Sequence, residues 1–266
     1  SFWANPPHFF IATSKNSFNI KITKIGGTLK NREVAEEVLL KFLTEDIMMV
    51  LSDRDYEKMK NGSVFKTSQL NPQEYYDFFK PLLKENLPII HVSLGSGLSN
   101  TINSIYVASS MLKDEFPTCD IRPLDSKIAS LGLTTLLNKL IECRDCDMEV
   151  DEAFEKVSNM VDKGHAYFTT DTLTYFARGG RLSKVGAFLG NALKINPVLD
   201  VDPRGGLRIT DKVRGSHKAI ETLTKRAKIA AIDAKEQTVY VTYGLLIPGI
   251  EHYDTTARLQ ISLGYK

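Results

Sequence analysis

Residues 89–100, Ile89-Ile90-His91-Val92-Ser93-Leu94-Gly95-Ser96-Gly97-Leu98-Ser99-Asn100, carry the clearest strand-loop-helix signal in the chain. Pro88 precedes the short β-branched run IIHVSL, which predicts a strand. GSGLSN then predicts a loop, and a helix begins near Thr101 with Ile102, Ile105, Ser109 and Leu112 on one side. A second unit repeats the order, with DIRPLD from Asp120 as strand and SKIASLGLTTLLNKLIE as loop and helix. A third helix follows the acidic stretch 144–153, with Phe154, Val157 and Val161 on one side. Strands alternating with helices of this length predict a parallel α/β layer with its ligand loops at the carboxyl ends of the strands.

Working outward, Asn71-Pro72 opens a helix whose Tyr75, Phe78, Phe79, Leu82 and Leu83 follow the i, i+3, i+4, i+7, i+8 rule. That face is core. Nearer the start, FFIAT (Phe9 to Thr13) and NIKITKI predict strands, and Ala35, Val38, Leu39 and Phe42 mark a helix. Asn61-Gly62 closes a short helix. After about residue 163 the texture changes. HAYFTT and INPVLDV predict strands, and Pro203, Gly205 and Gly206 suit a hairpin before LRITDKV. A helix follows from about Ser216 to Lys228, then the strand TVYVTYG. The closing segment YDTTARLQISLGYK carries no assignment. The pattern predicts two α/β domains, 1–160 and 161–266, the second built on a mixed sheet. Length agrees, since 266 residues suit two domains of ordinary size.

The charge sum is +2, from 34 basic and 32 acidic residues, which gives no support to a dedicated DNA-binding protein. Three cysteines, Cys119, Cys143 and Cys146, do not make a disulfide framework. No apolar run approaches the ~18 residues of a membrane span. The first residues lack the basic stretch and apolar core of a signal peptide. A cytoplasmic, monomeric protein is the expectation.

GSGLSN admits three readings. Gly95 and Gly97 allow close backbone approach, and Ser96 and Ser99 add hydroxyl donors, so the loop suits an anion or carboxylate. With Asp125 as a ribose-binding acid, it is a variant of the dinucleotide loop and implies an NAD(P)-dependent oxidoreductase. The third reading is a structural turn. Ser99 in GLSNT also suggests a serine hydrolase, although it misses the GxSxG elbow by its last residue. His91, His165 and His217 are the available bases, with His91 inside a strand and read as a core histidine. KTSQ (Lys66 to Gln69) offers two adjacent hydroxyls before a helix. Arg178-Gly179-Gly180-Arg181 and Arg214-Gly215-Ser216-His217-Lys218 are compact basic segments. The single CxxC of Cys143 and Cys146 is half of a zinc site, and no metal site is expected.

Several stretches together resemble the DegV family of fatty-acid-binding proteins. They are GSVFKTSQLNP, IIHVSLGSGLSNTINSIYVAS, IRPLDSKIASLGL, DTLTYFARGGRLSKVGAFLGNALKINPVL and VRGSHKA, in order, across most of residues 60–220. The resemblance implies a two-domain fold, a Rossmann-like parallel α/β domain followed by a mixed-sheet α/β domain. It implies a long-chain fatty acid as ligand, no intrinsic cofactor, no catalysis by this chain, and a separate fatty-acid kinase as partner. It places Thr67 and Ser68 as the carboxylate-binding pair and Gly95, Ser96, Gly97 and Ser99 in the opposing loop. Thr13 and Ser14 stand where the family carries a TDST-like turn, here without its Asp. The resemblance also implies that Arg178, Arg181 and Arg214 face the partner. Asn100 replaces a usual family glycine.

Overall fold

The computed structural model describes residues 10–13, 58, 61–63, 69–129, 131–170, 172–181, 195–231, 239–243 and 259–263. They form two compact units. Residues 10–13 and 69–161 lie in the first, and those from 162 onward in the second, together with 58 and 61–63. The expected strand at 19–25 and the helix carrying Ala35 to Phe42 lie outside the described residues.

In the first unit, β1 (Phe10–Thr13), β2 (Ile89–Ser93) and β3 (Ile121–Asp125) form a parallel sheet in the order β1-β2-β3. All five residues of β2 are buried, as the central strand of a sheet covered on both faces requires. Helix α1 (Pro72–Leu83) begins with a capping box: the Glu74 amide donates to Asn71 Oδ1 at 3.0 Å, and the Asn71 amide donates to Glu74 Oε2 at 2.6 Å. Its predicted face, Tyr75, Phe78, Phe79, Leu82 and Leu83, is the buried one. Helix α2 (Thr101–Glu115) adds Ile105, Ala108 and Leu112 to the same core, which also takes in Ile89.

Helix α3 (Leu131–Asp145) buries Leu133, Leu136, Leu137 and Leu140. Helix α4 (Val150–Val161) buries Ala153, Val157, Met160 and Val161. Phe154, expected on that face, is only half-buried; its ring instead lies 6.0 Å from the Arg122 guanidinium carbon.

The second unit is a five-stranded sheet of β4 (His165–Thr169), β5 (Ile195–Val201), β6 (Leu207–Arg214), β7 (Val239–Tyr243) and β8 (Leu259–Leu263) in the order β6-β5-β4-β8-β7. Every described pairing is antiparallel, where the sequence pattern leads one to expect a mixed sheet. The reason is topological. Strands β6 and β7 run the same way and are joined through helix α6 (Ser216–Ala230), but β5, β4 and β8 lie between them. The crossover therefore creates no parallel neighbours. Strand β8 comes from the closing segment, unassigned by local pattern, and sits between β4 and β7.

Asp202 builds the β5–β6 hairpin by accepting the Arg204 and Gly206 amides on Oδ1 at 2.8 and 3.0 Å. Leu223 and Ala227 of α6 pack on Tyr167 and Val198. Leu173 and Phe176, of α5 (Thr174–Arg178) and the turn before it, join Phe168, Leu199 and Ile209 in a separate cluster.

Candidate functional site

The GSGLSN loop leaves the carboxyl end of β2, the middle strand of the parallel sheet. Ser93 pairs in register with Asp125, and Val92 with Thr13, so the ends of all three strands share one sheet edge. Ser96, Gly97 and Asn100 are exposed, Leu98 and Ser99 half-buried, and Gly95 buried. Sequence reasoning gave Gly95 a ligand-approach role. Its bare Cα is instead taken up by protein: a Cβ there would stand 2.7 Å from the Ile128 nitrogen and 2.8 Å from the Lys127 carbonyl carbon.

The loop's amides are largely spent inside the protein. The Gly95 amide donates to the Ile128 carbonyl at 2.9 Å. Those of Leu98 and Ser99 donate to the Gly95 carbonyl at 2.9 and 3.2 Å. The Ser96 amide donates to Asp125 Oδ1 at 3.0 Å. Four of the loop's amides are therefore engaged by acceptors within the protein.

Asp125 has a structural task of its own. Its Oδ1 also accepts the Lys127 amide at 3.0 Å, in a turn where Lys127 adopts φ 50°. Ser126 is fully buried and donates its hydroxyl to the Ile128 carbonyl at 3.0 Å. The loops after β2 and β3 are thus stitched together. Nor does the strand order reverse among β1, β2 and β3, whereas dinucleotide crevices form at such a reversal.

Ser99 Oγ lies 2.8 Å from Thr101 Oγ1, and Thr101 is 3% exposed. If Thr101 donates, the Ser99 hydrogen is released toward solvent. Sequence reading misses this partner of Ser99, because a Thr at the first helical position looks like an ordinary helix start. This partner is a hydroxyl, not a base. His91 sits wholly inside the first core, edge-on to Tyr75 and Phe79 at ring distances of 5.5 and 5.6 Å. Burial lowers its pKa to about 3, so it is a neutral core residue. His165 stacks on Tyr167 in the second unit, and burial lowers its pKa as well. The structure brings none of these histidines into a described hydrogen bond with Ser99.

The first basic segment closes a helix. The Gly180 amide donates to the Ala177 carbonyl at 3.0 Å and the Arg181 amide to the Phe176 carbonyl at 3.3 Å, with Gly180 at φ 73°. This is the Schellman pattern, and it requires glycine-like freedom at residue 180. Arg178 and Arg181 are exposed on either side, with Arg181 Nη1 donating to the Gly179 carbonyl at 2.5 Å. Arg214 is exposed at the end of β6, immediately before Gly215 and α6. Cys143 is buried and Cys146 exposed at the end of α3. Burial pushes the Cys143 thiol up, the reverse of an activated thiolate. Among the described residues no cluster of potential ligands could hold a metal ion. Thr67, Ser68 and Ser14 lie outside the described residues, and of Thr13 only its place at the end of β1 is described.

Comparison with known proteins assigns the family. A profile of the DegV family of uncharacterised proteins matches residues 44–259. The chain belongs to the DegV family. A DegV domain-containing protein of Lactococcus lactis, YteA, is 32% identical over 185 residues, which are 70% of this chain and 64% of that protein. The chain thus spans just under two thirds of the length of the curated relative it matches. A DegV family protein from Thermus thermophilus, described by its fatty acid binding, superposes with a TM-score of 0.72 at 18% identity, covering 98% of this chain and all of that one. The Streptococcus pneumoniae Fatty Acid Kinase (Fak) B3 protein, loaded with linoleic acid, superposes at 0.67 with 20% identity, covering 83% of this chain and 86% of that one.

Proposed function

We propose that this DegV protein binds a long-chain fatty acid without catalysing a reaction, and presents it to a separate fatty-acid kinase. The observation that carries the reading is the exposed Ser96 and half-buried Ser99 on a loop at the carboxyl end of the central strand. Ser99 is backed by a buried hydroxyl that can turn its hydrogen outward. Fold likeness to proteins named for fatty acid binding supports it. Thr67 and Ser68 are proposed as further carboxylate donors from the KTSQ motif, and Thr13 and Ser14 from their place in the family's first turn. Gly95 and Gly97 shape the loop. The two domains divide near residue 160, with residues 58 and 61–63 joining the second; the first carries GSGLSN and the second the basic segments. Arg178, Arg181 and Arg214 face the kinase.

The energetics suit a carrier. A hydrogen bond to a charged carboxylate contributes about 1.5–3 kcal/mol. About fourteen buried methylenes at ~0.8 kcal/mol each supply roughly 11 kcal/mol before ordering and association costs. The polar end fixes position and the tail supplies most of the affinity. The kinase supplies nucleotide, metal and catalytic groups. No described helix is long and apolar enough to cross a membrane. On the carrier reading the protein works in the cytoplasm as a monomer with no intrinsic cofactor.

The oxidoreductase reading is the less favoured one, because the two amides held by Asp125 Oδ1 account for that residue without a ribose. The hydrolase reading is disfavoured by Ser99, whose described partner cannot act as a base. Native mass spectrometry after mild purification tests the carrier. A retained mass matching a fatty acid is expected. Nucleotide alone, or no ligand across several preparations, would overturn it.

A further inference from the structure

Asp125 sits beside a loop read as a receptor for a carboxylate, where its own negative charge should repel the ligand. Its geometry explains its presence. The end of β3 and its loop meet the loop after β2 at two bonds, the Ser96 amide on Asp125 Oδ1 at 3.0 Å and the Gly95 amide on the Ile128 carbonyl at 2.9 Å, and Asp125 Oδ1 also accepts the Lys127 amide of its own turn at 3.0 Å. Lys127 is held at φ 50°, a region a lysine rarely adopts without support, and Asp125 supplies that support from two residues away. One carboxylate oxygen therefore fixes both the residue that presents the Ser96 hydroxyl and the turn on which Gly95 rests.

We propose that Asp125 is a positioning residue: by accepting the Ser96 and Lys127 amides on one oxygen, it holds the Ser96 hydroxyl in place for a fatty-acid carboxylate that it does not touch. This rests on the reading of GSGLSN as a carboxylate-binding loop. The required property is an acceptor oxygen, not the charge. An amide oxygen does the same work, and removing the charge takes away a repulsion of the ligand.

Three proteins separate these effects: the unaltered chain, Asp125→Asn and Asp125→Ala. Oleic acid and methyl oleate are titrated into each, and amide hydrogen exchange is followed at Ser96 and Lys127 without ligand. In Asp125→Ala, oleic acid binding is expected to weaken about tenfold or more, with methyl oleate changed much less. Exchange at both amides should accelerate. Asp125→Asn is expected to restore slow exchange and bind oleic acid at least as tightly as the unaltered chain. Unchanged exchange in Asp125→Ala overturns the proposal, as does Asp125→Asn losing oleic acid as severely as the alanine variant. If the unaltered chain binds neither lipid, the carrier reading fails. The clamp is then judged by exchange alone, where acceleration in Asp125→Ala supports it and no change overturns it.

Discussion

Gly95 lies against the backbone of Ile128 so closely that a Cβ would stand 2.7 Å from the Ile128 nitrogen. The Gly95 amide is at the same time bonded to the Ile128 carbonyl at 2.9 Å, so neither strand of backbone is free to withdraw. Gly95→Ala must push the 127–128 turn away and disturb the Ser96 and Asp125 contact beside it. A loss of about 1–3 kcal/mol is expected, in the range of an overpacked core site. Urea denaturation followed by circular dichroism measures it, and a midpoint equal to that of the unaltered protein would contradict the close approach.

Thr101 Oγ1 is the buried partner of Ser99 Oγ at 2.8 Å, and its worth is tested by shape-preserving changes. Thr101→Val keeps the volume and removes the hydroxyl, so oleic acid should bind about three- to tenfold more weakly while methyl oleate is little affected. Thr101→Ser should recover most of the loss. Equal weakening of both ligands would mean that Thr101 only supports the start of α2.

His91 gives the fold a pH dependence. Its pKa falls from 6.5 to about 3 because burial among Tyr75 and Phe79 penalises the charged ring. The unfolded chain therefore binds the extra proton first. The contribution of neutral His91 is fully present above pH 6.5 and drains away as the pH falls toward 3. The expected slope is about 1.4 kcal/mol per pH unit across that window. Unfolding free energies of the unaltered protein and of His91→Leu, measured between pH 7 and 4, should differ in slope by about one proton. Parallel curves would show that His91 is not the titrating group.

Gly180 has φ 73° and open space within 4 Å of a built Cβ, so an alanine there meets strain without collision. Gly180→Ala is expected to cost about 1–2 kcal/mol, the left-handed penalty for an L-residue. It should also speed amide exchange at Arg181, whose donation to the Phe176 carbonyl closes the motif. Slow exchange preserved in the variant would show that the turn does not depend on residue 180.

The helices of the first unit were legible because their apolar spacing is a local property. Tyr75, Phe78, Phe79, Leu82 and Leu83 follow the helical period, and the face they predict is the face that is buried. The GSGLSN loop and its neighbouring strands were legible for the same reason. Strand β8 was not: its place between β4 and β7 depends on partners well outside its own segment, and a short pattern does not encode them. The partial exposure of Phe154 was not legible either, because its neighbour Arg122 comes from another element.

The sequence by itself determined which residues carry hydroxyls, where glycines interrupt the chain, and that strands alternate with helices in two α/β parts. Those are properties of residue type and near-neighbour spacing. Only the tertiary structure decided how they are used. It spent the amides of Gly95, Ser96, Leu98 and Ser99 inside the protein. It turned Asp125 from a candidate ribose ligand into a clamp and supplied Thr101 as a partner for Ser99. The physical reason is that a hydrogen bond is decided by distance and angle between groups that approach only on folding. Ser96 and Asp125 are 29 residues apart in the chain and meet at 3.0 Å because β2 and β3 pair in parallel.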